Sequence, residues 1–173
     1  MCYFLYIASP LTLSEVRSML PPGLVADLAP SAYRAALQQL HPSAKTVARL
    51  LVGSCSCDLV RTRQADPIAD ERELRARFQQ ARLPRSAIIH ELELHRRGPV
   101  PRPAPPDDWP GALTRFVVEH ARNAGRTLYL LHFGRHAESP VPALQSTPKI
   151  FSAREIGARP GSWLVEGIPT LIS

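Results

Sequence analysis

A chain of 173 residues, 45% of them hydrophobic, is long enough to bury roughly 68 to 70% of its unfolded surface without staples. An odd count of three cysteines and no charged leader argue against a secreted disulfide scaffold and for a reducing, cytoplasmic setting, and no apolar run nears the ~20 residues that span a bilayer. The formal charge of +6 raises nucleic acid as a partner, but the arginines between Arg61 and Arg102 alternate with Asp66, Asp70, Glu71, Glu73, Glu91 and Glu93, a mixed-sign pattern that describes a solvated face and disfavours a phosphate-binding stripe.

Tyr3 to Ala8 is a continuous aromatic and aliphatic run, the signature of a strand buried on both faces. Thr12 with Glu15 three residues on predicts a capping box, flanked by Leu11 and Val16 as a hydrophobic staple. Pro21, Pro22 and Gly23 end that helix. Ser31 to Leu40 predicts another, with Tyr33, Ala36, Leu37 and Leu40 on one face and His41-Pro42 as its stop. Thr46 to Asp58 is the stretch around which the chain is organised: an aliphatic run through Val47, Leu50, Leu51 and Val52 ends at Gly53 and opens into Ser54-Cys55-Ser56-Cys57-Asp58.

Asp66-Pro67 predicts the cap and first turn of a helix running to about Arg82, with Leu74, Phe78 and Ala81 at helical spacing. A second helix follows Pro84 through Ile88, Ile89 and Leu92. Residues 99–106 hold a dense run of prolines, which excludes helix and reads as an extended surface connector within a single domain of residues 1–173. Asp107 to Pro110 opens the most regular helix, with Trp109, Leu113, Phe116, Val117 and His120 on one face and Gly125 at its end. Arg126 to Phe133 is the next buried strand and Gly134 to Thr147 a loop. Lys149 to Phe151 is a short strand, and Trp163 to Ile172 a hairpin broken at Glu166-Gly167.

Several strings resemble known sites. Arg135-His136-x-Glu138 after its strand resembles the Arg-His-x-Glu of histidine phosphatases, which implies a phosphoryl-accepting imidazole and a clamping guanidinium. In that family the motif begins the domain, whereas here only a short tail without a second histidine follows, so Arg135 and His136 are read as loop residues. His90-Glu91 with His95 resembles a zinc-protease helix, but a spacing of five turns the second ring roughly 140° away from the first. Met1-Cys2 resembles the start of N-terminal-nucleophile hydrolases, yet Tyr3 stands where the amidotransferase members carry glycine, and Cys2 is read as a small apolar residue entering a strand.

The element order predicts an α/β or α+β domain: a partly parallel central sheet with helical crossovers and short antiparallel C-terminal strands. In such a sheet ligands bind outside the strands' carboxyl ends. That expectation brings Cys55, Cys57 and Asp58 together with Arg135, His136 and Glu138, with Ser9 beside them. Cys55, Cys57 and His136 are the candidate catalytic or metal-ligating residues, and Ser9, Asp58, Arg135 and Glu138 the candidate ligand-binding ones. Two functions follow: a cytosolic binding or interaction domain without catalytic chemistry, or a thiol-dependent enzyme or zinc-binding protein using Cys55 and Cys57 with His132 or His136. Zinc is the cofactor this set would take, and a protein or a small anionic ligand the partner left open.

Overall fold

The computed structural model describes residues 2–60, 67–80, 82–96, 108–134, 144, 147–158 and 163–173. Its contacts divide the chain into two compact units, Met1–Val60 with Pro105–Ser173, and Arg61–Ala104.

The first unit is α+β, built on one sheet of six strands: β1 (Cys2–Ser9), β2 (Leu24–Leu28), β3 (Thr46–Val52), β4 (Thr127–Gly134), β5 (Lys149–Phe151) and β6 (Thr170–Ile172). Their spatial order is β2-β3-β1-β4-β6-β5, so the first strand lies inside the sheet. Alternation along β1 sends Leu5 and Ile7 to one face and Phe4, Tyr6 and Ala8 to the other, each into its own core. That is why the segment reads as continuously apolar.

On the Leu5 face lie α1 (Leu13–Ser18), α6 (Trp109–Ala124) and α7 (Ala153–Ala158), which contribute Val16, Leu113, Phe116, Val117 and Ile156 to the core. The Tyr6 face takes Tyr33 and Leu37 from α2 (Ser31–Leu40), and Tyr33 stacks on Tyr6 with ring centroids 4.1 Å apart. The expected capping box is present: the Glu15 amide donates to Thr12 Oγ1, and the Thr12 amide to the Glu15 carboxylate at 2.7 Å. Ser152 and Glu155 build the same device at α7. At α6 the Gly111 amide donates to the Asp108 side chain, and a Cβ at position 111 would force that carboxylate to move.

Three elements escape the sequence reading: β2, α7 and the short helix α3 (Cys57–Val60). The omission of β2 has a topological consequence. β3 pairs antiparallel with β1, as does β4, and β2 pairs antiparallel with β3. The helical crossover therefore joins β1 to β2, which run the same way two places apart, and β3 returns between them. The strands at Tyr3, Thr46 and Arg126, expected to be parallel neighbours, are not: the Tyr3 strand lies between the other two and runs antiparallel to both. The sheet's parallel pair is β5 with β6 at its edge. At the opposite edge Arg17 donates to the Ala26 carbonyl at 2.8 Å, blocking a group that would otherwise template another strand.

The second unit holds α4 (Pro67–Gln80) and α5 (Arg85–Arg96), joined through a turn with Arg82 at φ 53°. α3 (Cys57–Val60) closes the preceding segment of the first unit. Phe78, Ile88 and Leu92 are buried, whereas Ile89 is exposed. The proline-rich segment 99–106 lies outside the described residues.

Candidate metal centre

Reversing β3 and β4 relative to β1 changes which residues meet. The carboxyl ends of β3 and β4 lie beside the amino end of β1, where Cys2 pairs with Gly134. Ser9 lies at the far end, opposite Thr46, and does not join Cys55 and Cys57. This corrects its expected place in the site. Ser9 is fully buried, accepting from the Leu11 amide at 3.0 Å and bonding His120 Nε2 at 3.1 Å. The other nitrogen of His120 meets Thr127 Oγ1 at 3.3 Å and the Tyr129 hydroxyl at 3.4 Å. With no solvent access this Ser–His pair is a structural network, and burial pulls the His120 pKa down to about 4.

The cysteine loop is held by a complete exchange of backbone partners. Gly53 takes φ 65°, the left-handed region glycine tolerates, so the chain reverses and the Val52 amide donates to the Cys55 carbonyl at 2.8 Å. Ladder pairing of β1 with β3 stops at Leu5 and Leu50, which would leave polar groups of β1 without partners. Ser56 takes the vacated place. Its amide donates to the Tyr3 carbonyl at 2.8 Å, and its hydroxyl accepts from the Leu5 amide at 2.8 Å and donates to the Leu50 carbonyl at 2.6 Å.

Flanking that serine, Cys55 and Cys57 are carried to Cys2. The three Sγ atoms all lie within 4.8 Å of one another, and none of the three cysteines forms a disulfide. Cys55 is buried and the other two are half-buried. A tetrahedral ion with ~2.3 Å bonds to sulfur would set its ligand sulfurs about 3.8 Å apart, so the triangle needs to close by at most about an ångström. The Tyr3 amide donates to Cys57 Sγ at 3.4 Å, the type of contact that supports a thiolate once formed.

No protein-family model, curated protein or solved structure matches the chain. What the cluster can do is read from its own chemistry. The Cys57 thiol is pushed up by hydrogen bonding with Cys2 and then Cys55, with burial adding to this. Cys2 is raised chiefly by its hydrogen bond with Cys55. Crowded thiols hold their protons unless a cation neutralises them.

Of the expected site residues, Cys55 and Cys57 stand together and Asp58 follows them as a half-buried residue of α3. Arg135, His136 and Glu138 lie outside the described residues. The member that sequence reasoning missed is Cys2. Its signal was present in the two cysteines after β3, but an assumed parallel sheet put the start of β1 at the wrong end. His132 is placed on the same sheet face as Cys2, opposite Phe4. Its Nε2 is buried with no hydrogen-bond partner, and its ring tilts against Tyr33 at 5.7 Å.

Proposed function

We propose that this protein is a zinc-binding protein whose ion is held by the thiolates of Cys2, Cys55 and Cys57. The observation that carries the reading is the convergence of three sulfurs, from two distant parts of the chain, within 4.8 Å. Two further features favour an ion over a free nucleophile. Raised thiol pKa values at Cys2 and Cys57 suppress the thiolate on which nucleophilic chemistry depends. A bound cation instead deprotonates its thiols outright, and zinc takes sulfur ligands with tetrahedral preference.

The test is metal content of protein purified under reducing conditions without chelator, followed by zinc titration of the chain and of Cys2→Ser, Cys55→Ser and Cys57→Ser. Near-stoichiometric zinc in the wild type, lost in each variant, is the expected result. A wild type that neither carries zinc nor takes it up while its thiols are reduced would refute the reading, as would variants that bind as tightly as the wild type. Copper(I), which shares the preference for soft ligands, enters as a competitor: retention of copper(I) with exclusion of zinc would also overturn the assignment.

A further inference from the structure

Three thiolates leave a tetrahedral ion one position short. An open position filled by water is the mark of a catalytic zinc, and a fourth protein ligand that of a structural one. The nature of the fourth donor therefore decides what kind of site this is. Resting on the zinc reading above, we infer that His132 supplies the fourth ligand, closing the centre as a three-sulfur, one-nitrogen site.

Register places it. Cys2 stands opposite Gly134 and Phe4 opposite His132 in the antiparallel pair of β1 and β4. Residues directly opposite share a sheet face, so Cys2 and His132 project from the same face as diagonal neighbours. Such diagonals have Cβ atoms about 7 to 8 Å apart or less, within reach of long and aromatic side chains.

The second observation is the state of the ring. His132 Nε2 is out of solvent and without a partner. An unpaired buried polar atom costs roughly 1 to 3 kcal/mol, and native proteins carry few of them. A metal bond would remove that deficit. The imidazole leans on Tyr33, and among the described residues the ligand group that lies within 4.8 Å comprises the cysteines alone. Binding therefore requires the ring to turn from Tyr33 towards the sulfurs. Because Nε2 gives up no hydrogen bond in turning, the motion costs an aromatic contact and gains a coordinate bond.

The experiment uses the full chain loaded with zinc. X-ray absorption at the zinc edge is expected to show three sulfurs and one nitrogen with the outer-shell scattering of an imidazole. In His132→Ala the imidazole scattering should vanish while the three sulfurs stay, and zinc affinity should fall by more than the ~10- to 100-fold that loss of an outer-shell partner costs. Cadmium NMR of wild-type protein carrying nitrogen-labelled histidine reads the same bond without any substitution, through coupling of the metal to one imidazole nitrogen. Three sulfurs and an oxygen in the wild type, or an imidazole signature that survives in His132→Ala, would overturn the inference while leaving the three-cysteine site intact. Absence of sulfur ligation in the wild type would instead bring down the zinc reading itself.

Discussion

The buried network around His120 makes a quantitative prediction about acid. His120 is fully buried in α6, its ring nitrogens engaged by Ser9, Thr127 and Tyr129, and burial lowers its pKa from 6.5 to about 4. Between those values the unfolded chain binds a proton that the native protein excludes, so stability rises with pH across that window. The contribution is fully present above pH 6.5 and is lost as pH falls through about 4. At 1.36 kcal/mol for each pH unit of separation, the loss attributable to this side chain is on the order of 3 kcal/mol. His41 and His132 are also lowered by burial, and they act in the same direction, so the wild-type curve alone does not isolate His120. The assay is urea unfolding of wild type and His120→Gln, compared at pH values from about 7 down to about 4. The variant is expected to be less stable at neutral pH, and the gap between the two proteins to narrow by about 3 kcal/mol on acidification. Parallel curves across this range would refute the argument.

Three further outcomes follow from named contacts. Thr12→Ala removes one half of the capping box on α1 and should cost about 1 kcal/mol, seen as a lower urea midpoint at unchanged slope; an unchanged midpoint would show the box to be energetically idle. Ser56→Ala strands the Leu5 amide and the Leu50 carbonyl and should destabilise by about 1 to 3 kcal/mol for each group left unsatisfied, with zinc uptake weakened because the loop is no longer pinned; zinc affinity equal to wild type would separate the loop's anchoring from the site. If zinc binds as proposed, a hundredfold excess of free ion over its dissociation constant should raise stability by about 2.7 kcal/mol, and chelator should reverse this; thermal denaturation unaffected by zinc would count against binding to the native state.

Local signals in this chain were legible because each is satisfied within a few residues. Thr12 and Glu15, the Ser31 to Leu40 face, the Trp109 helix and the aliphatic runs of β1, β3 and β4 carry their period or cap in the sequence itself. The direction of the strands was not legible, and the reason is β2. Leu24 to Leu28 is a five-residue edge strand burying only Leu24 and Ala26, too little apolar surface to announce itself beside the Pro21-Pro22-Gly23 break. Missing one edge strand reversed the inferred direction of β3, and with it the end of the sheet at which Ser9 and Cys2 belong. The site was half legible for the same reason. Cys55-x-Cys57 stood out by spacing, while Cys2 belongs to the cluster only through pairing partners far along the chain.

The interior position of β1 also bears on how the molecule acquires its shape. β1 precedes both of its partners along the chain, β3 and, much farther on, β4, through pairs such as Tyr6 with Leu130. Pairings of such long sequence separation carry a high loop-closure cost and make folding slow. The apolar run Tyr3 to Ala8 gains its β3 neighbour once Val52 has been made, but its other edge stays unpaired until β4 follows, which makes it the segment a chaperone would be expected to cover. Cys2 waits with it, and a metal ion that gathered the three sulfurs early would tether β1 to the loop after β3 before β4 had been made.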